Sequence, residues 1–130
     1  MENEFTLSVV LNVKPEALYK AWLDSEEHAK FTGSPAEIVP KVGGKFTAWD
    51  GYISGKTLEL DPGKRILQNW RTTDFDNKSP DSKIEITFEK ADKGTKLTLR
   101  HFNIPEGTAE EYKKGWKDFY FEPMKKYYPK

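Results

Sequence analysis

Gly115-Trp116-Lys117-Asp118-Phe119-Tyr120-Phe121-Glu122-Pro123-Met124-Lys125-Lys126-Tyr127-Tyr128 is the most aromatic stretch of the chain. Tyr112, Trp116, Phe119, Tyr120 and Met124 recur at the i, i+3, i+4 spacing of an amphipathic helix. That phase points Trp116, Phe119 and Tyr120 toward whatever the helix covers. The lysines at 113, 114, 117, 125 and 126 fall beside this stripe as a solvated face, and Glu122 lies on that outer side. Thr108, with Glu111 three residues on, predicts a capping box at the start. A helix from Thr108 to Tyr128 would be about 31 Å long. Pro123 removes one backbone hydrogen bond and crowds the Phe119 carbonyl, which predicts a kink. A helix this rich in rings needs an apolar surface to lie on.

The segments before it read as that surface. Phe5, Leu7, Val9, Leu11 and Val13 alternate with Thr6, Ser8 and Asn12, the pattern of a half-buried strand. Pro15 opens a helix carrying Ala17, Leu18, Ala21, Trp22 and Leu23. Asp24 or Ser25 caps a second short helix, which ends before Gly33 and Pro35. Its His28 is expected to be exposed. Short strands follow over 36–39, 45–49, 52–60, 65–73, 84–89 and 95–102. They are punctuated by Gly43-Gly44, by the hairpin signal Asp50-Gly51, and by the turns Asp61-Pro62-Gly63 and Ala91–Gly94. Asp74–Ser82 reads as a polar loop. One strand, two short helices, a run of meandering strands and a long helix describe an α+β domain, its curved antiparallel sheet gripping the last helix.

The 130 residues fit a single domain, 1–130. Lys and Arg number 21, as do Asp and Glu, so no general field draws the protein to nucleic acid or to anionic lipid. The absence of cysteine excludes disulfides, thiolate nucleophiles and thiolate metal sites. No apolar run approaches a membrane span and no signal-peptide pattern opens the chain, so the expected setting is the cytoplasm. The two histidines, His28 and His101, have no metal-ligand spacing, and no metal or other cofactor is expected.

The order of elements and a set of short motifs resemble a known family. These are Pro15-Glu16-Ala17-Leu18-Tyr19, Phe31-Thr32-Gly33, Gly43-Gly44-Lys45-Phe46, Asp50-Gly51-Tyr52-Ile53-Ser54-Gly55, Gln68-Asn69-Trp70-Arg71 and, most specific, Gly115-Trp116-Lys117-Asp118-Phe119-Tyr120-Phe121-Glu122. The chain is similar to the C-terminal domain of the activator of the 90-kDa heat-shock protein ATPase, within the START-like (Bet v 1-like, SRPBCC) superfamily. The resemblance implies a helix-grip fold, with a cavity between sheet and C-terminal helix. It implies a co-chaperone-like, non-enzymatic binding domain, with weak contact to a 90-kDa heat-shock chaperone. The activators' N-terminal domain, which supplies their main anchorage, is expected to be lacking here.

Candidate functional residues follow from phase. Gln68 and Trp70 share a strand face with Ile66, and His101 shares one with Leu97 and Leu99. Polar groups on an inward face either satisfy one another or orient a ligand. With Trp116, Phe119, Tyr120 and Met124 from the helix, Gln68, Trp70 and His101 form the candidate lining of a cavity for a small apolar ligand. Core packing explains each ring equally simply. His101 has the reference pKa of a general acid or base, but the sequence sets no nucleophile or orienting carboxylate beside it. No catalytic residue is therefore assigned.

Overall fold

In a computed structural model, the described residues are 4–76 and 78–128. Asn77, inside the segment read as a polar loop, lies outside them. Strand β1 (Phe5–Leu11) leads to helices α1 (Pro15–Leu23) and α2 (Ser25–Thr32). Strands β2 (Glu37–Ile38), β3 (Lys45–Ala48), β4 (Ile53–Asp61), β5 (Arg65–Thr72), β6 (Ser82–Ala91) and β7 (Gly94–Phe102) follow. The chain ends in α3 (Ala109–Trp116), a π-helical turn (Lys117–Phe121) and α4 (Glu122–Tyr127). These last three run on as one helix, since Lys117, Phe121 and Glu122 all keep right-handed helical backbone.

The strands form one seven-stranded sheet in the order β1-β7-β6-β5-β4-β3-β2, with every neighbouring pair antiparallel. Strands β2 to β7 are a meander, and β1 returns to pair with β7. Alternation sets the buried face: Ile66, Gln68, Trp70 and Thr72 on β5, Ser82, Ile84, Ile86 and Phe88 on β6, and Thr95, Leu97, Leu99 and His101 on β7. The C-terminal helix lies against this face, and α1 and α2 close one end. This is the α+β helix-grip architecture.

Local chemistry explains the punctuation. The Asp24 side chain caps α2 by accepting from the Glu27 N–H at 3.1 Å, and Gly33 ends the helix in the left-handed conformation at φ 81°. Gly55 is required by proximity: an added Cβ would run into the Asn69 carbonyl of β5 and the Phe46 ring of β3.

Three expectations are corrected, and the place of a fourth, at Pro123, is specified. Thr108 does not cap α3; its backbone is already helical (φ −114°, ψ −3°), and its hydroxyl turns back to donate to the Pro105 carbonyl at 2.7 Å. At Pro123 the helix departs from regular α geometry through a π-helical turn. The turn before the proline widens, so that the Glu122 N–H bonds to the Lys117 carbonyl, five residues back. That wider turn changes the phase: Phe119 turns out, 58% exposed, and Phe121 turns in. The 74–82 loop is not wholly polar, because Phe75 is buried against Trp70 and Tyr112.

Candidate functional site

Two chains of hydrogen bonds fasten the helix to the rest of the fold. The first runs through His101, which is fully buried at the end of β7. The Trp116 indole N–H can only donate, so His101 Nδ1 accepts from it at 3.0 Å. The proton therefore sits on Nε2, which donates to Ser82 Oγ at 2.8 Å, and Ser82 Oγ in turn donates to the Trp70 carbonyl at 2.6 Å. The pairing of Trp70 with Ser82 across β5 and β6 brings these partners into line. Burial lowers the His101 pKa to about 3. Both ring nitrogens are thus occupied, Nδ1 by the helix and Nε2 by β6.

The second chain runs through His28, which was expected to be exposed and is instead 3% exposed. Helix α2 is polar overall, but its inner side meets the C-terminal helix, so His28 is enclosed with Trp22, Phe31 and Tyr120. The Trp22 carbonyl accepts from Nδ1–H at 2.9 Å, leaving Nε2 to accept from the Tyr120 hydroxyl at 2.8 Å. Burial lowers the His28 pKa to about 4, against a smaller upward effect of the Trp22 bond. Burial likewise pushes the Tyr120 phenol far up. The nearby Trp49 N–H opposes that shift without closing a well-formed hydrogen bond.

On its other flank the helix leaves a cavity of about 430 Å³. Trp70 and Trp116 line it from the interior, with Tyr112 and Tyr120 beside them. The β3–β4 hairpin supplies Trp49, Tyr52 and Ile53. Glu111, Gly115 and Phe119 complete the lining from successive turns of the helix. Exposed Phe119 and Tyr52 mark the mouth. Two of the phenols are tethered: the Tyr52 hydroxyl donates to Asp74 Oδ2 at 2.6 Å, and the Tyr112 hydroxyl bonds Thr72 Oγ1 at 2.9 Å. Burial, with the Asp74 bond second, pushes the Tyr52 phenol up to about 12.

Of the candidate lining residues, Trp70, Trp116, Phe119 and Tyr120 come together around this cavity. Gln68, His101 and Met124 do not line it. Gln68 is buried deeper, donating to Thr57 Oγ1 at 3.1 Å, and Met124 is wholly enclosed in the core. Trp49, Tyr52, Ile53, Glu111, Tyr112 and Gly115 were not among the lining candidates read from sequence. Trp49 and Tyr52 flank the Asp50-Gly51 turn, so the hairpin signal marked their place, and Tyr52 and Ile53 also stood in a family motif. Tyr112 shared the helix phase with Trp116. Among the described residues, no group of three or more His, Asp and Glu side chains is placed to hold a metal.

Residues 12–128 match the family model described as Activator of Hsp90 ATPase homolog 1-like protein. The chain belongs to that family. Among its relatives, human Activator of 90 kDa heat shock protein ATPase homolog 1 is 32% identical over 122 residues, 94% of this chain and 36% of that protein. The chain thus spans about a third of the length of the curated relatives it matches first. Similarity along the whole of both chains is found with the crystal structure of an HSP90 activator from Plasmodium falciparum, at 31% identity, 97% coverage of each chain and a TM-score of 0.88. A Chromobacterium violaceum protein superposes at a TM-score of 0.77, with 28% identity and coverage of 98% and 99%. In this Activator of Hsp90 ATPase homolog 1-like domain, no helix among the described residues is long and apolar enough to cross a membrane.

Proposed function

We propose that this domain is a non-enzymatic, co-chaperone-type binding domain that contacts a 90-kDa heat-shock chaperone. The observation that carries the reading is the match to the Plasmodium HSP90 activator over 97% of both chains. Relatives of the family are named as activators of another protein's ATPase, a regulatory role rather than a catalytic one. The internal chemistry supports the same view. His101, the candidate acid or base, is spent on Trp116 and Ser82, and among the described residues the one carboxylate lining the cavity is Glu111. The outer face of the C-terminal helix presents exposed Lys114, Lys117, Lys125 and Lys126 for an acidic protein surface. Titration of the purified domain into the 90-kDa chaperone, at low and moderate salt, is expected to give a weak complex that loosens as salt rises. No complex at either salt, up to high micromolar concentration, would remove the proposal.

The cavity favours a second reading, a binder or carrier of a small hydrophobic ligand. Its volume of about 430 Å³ falls within the range of small-molecule sites, and rings dominate its wall. Native mass spectrometry of protein purified without detergent is expected to show a co-purified mass. A spectrum of the bare chain from several expression hosts would weigh against a carrier.

A further inference from the structure

Resting on the second reading of the cavity as a ligand site, we infer that it takes a small organic cation: a quaternary or tertiary ammonium group on an apolar body. Three features of the wall carry this. First, among the described residues the lining holds no lysine, arginine or histidine, and its one charged residue is Glu111. The Glu111 side chain makes no ion pair or hydrogen bond among the described residues, while Lys114, one turn on, is drawn to Asp118 at 3.2 Å. Glu111 thus lines the cavity as an exposed acidic residue with no ion-pair partner among the described residues.

Second, the cavity is enclosed by rings from both sides. Trp49 and Tyr52 come from the hairpin, Tyr112 and Phe119 from the helix, and Trp70 and Trp116 from within. Ring faces carry negative charge density and attract cations, most strongly where water is excluded. A neutral body of the same shape gains the apolar contact without that attraction, and an anion meets repulsion from both the rings and Glu111.

Third, the Tyr52 ring is polarised in the matching sense. Its hydroxyl donates to the Asp74 carboxylate at 2.6 Å, a charge-assisted bond that pushes electron density back into the ring. Asp74 also adds a second negative charge behind the mouth. The wall therefore combines apolar contact, ring quadrupoles and one carboxylate, with the Asp74 carboxylate behind Tyr52, which is the chemistry that selects an alkylated ammonium.

Phenyltrimethylammonium, tert-butylbenzene and benzenesulfonate share a shape and differ in charge, so they separate the effects. Titrations followed by the indole N–H resonances of Trp49, Trp70 and Trp116 should show saturable binding of phenyltrimethylammonium, about tenfold tighter than tert-butylbenzene. Benzenesulfonate should not bind. Glu111→Gln should reduce the preference about threefold, and Tyr52→Phe should lower it less. Both positions are exposed, as is Phe119, so Phe119→Ala serves as a third variant that keeps the fold and weakens the cation. Equal or tighter binding of tert-butylbenzene or benzenesulfonate would overturn the charge preference and leave the cavity a ligand site. Absence of binding by all three compounds would overturn both readings. Cation binding that Glu111→Gln, Tyr52→Phe and Phe119→Ala all leave unchanged would place the cation elsewhere and overturn the inference.

Discussion

The two flanks of the C-terminal helix are built from similar residues and end differently. On the α1–α2 flank, Tyr120 meets Trp22 at 5.2 Å between ring centroids and His28 at 5.5 Å, and its hydroxyl is bonded to His28. On the hairpin flank, Trp49 meets Phe119 at 5.7 Å and Tyr120 at 6.2 Å, yet a cavity remains between them. Ring content is therefore not what decides whether a region closes. The closed flank has short helices whose side chains mesh with the long helix and are pinned by hydrogen bonds. The open flank faces a hairpin tip, where Trp49 and Asp50 have positive φ (54° and 56°). Gly115 adds to the opening by presenting no side chain to it; a Cβ there would meet only Phe119, at 4.0 Å.

Trp116 belongs to both flanks, and removing it tests the comparison most severely. Trp116→Ala is expected to destabilise the domain by about 3–5 kcal/mol, read by urea or thermal unfolding, because the ring is 3% exposed and its indole N–H fastens His101. An unchanged melting temperature would show that the closed flank does not depend on it.

Acid is the next largest lever, and it acts through the fastenings. Both histidines are neutral in the fold, with pKa values near 4 and 3, below the ordinary 6.5. Below pH 6.5 the unfolded chain binds protons that the folded chain refuses, so stability falls as pH drops. The fall is about 1.4 kcal/mol per pH unit for each histidine, or roughly 3–4 kcal/mol for both between pH 7 and pH 5. It ends only where the folded-state values are reached. Urea denaturation across this range should show the slope, and His28→Gln should roughly halve it. A flat profile would mean that His28 and His101 are not held neutral.

Tyr120→Phe probes the hydrogen bond that pins the α1–α2 flank. It keeps the ring and leaves His28 Nε2 buried without its donor, a loss of about 1–3 kcal/mol measured by unfolding. Gly115→Ala is the smallest change and runs the other way. It places a methyl in a helix interior where only Phe119 is near, so a gain of up to about 1 kcal/mol is expected from helix propensity. Thermal unfolding would read it, and a loss instead would show that the open flank has no room to spare.

Much of this architecture was legible in the sequence because it depends on local chemistry and on period. The Pro15 start of α1, the Asp24 cap and Gly33 stop of α2, and the two-residue alternation of β5, β6 and β7 each follow from a few neighbouring residues. Period also placed Gln68, Trp70 and His101 on inward faces. It did not say which of them would reach a void, since that depends on how far a facing element stands away. Trp70 reaches it, whereas Gln68 is taken up by Thr57, its neighbour across β4 and β5, and His101 by Trp116.

The sequence by itself determined the order of elements, the inward faces of the strands and the burial of Trp116 and Tyr120, because periodicity and turn chemistry act over a few residues. Only the tertiary structure decided that Phe119 faces outward and Phe121 inward, since one wide turn before Pro123 breaks the helical phase. Only it buried His28, because a polar helix shows its inner side only when another helix covers it. The cavity, too, is a tertiary fact: it is the space left between a hairpin and a helix that no short stretch of sequence contains.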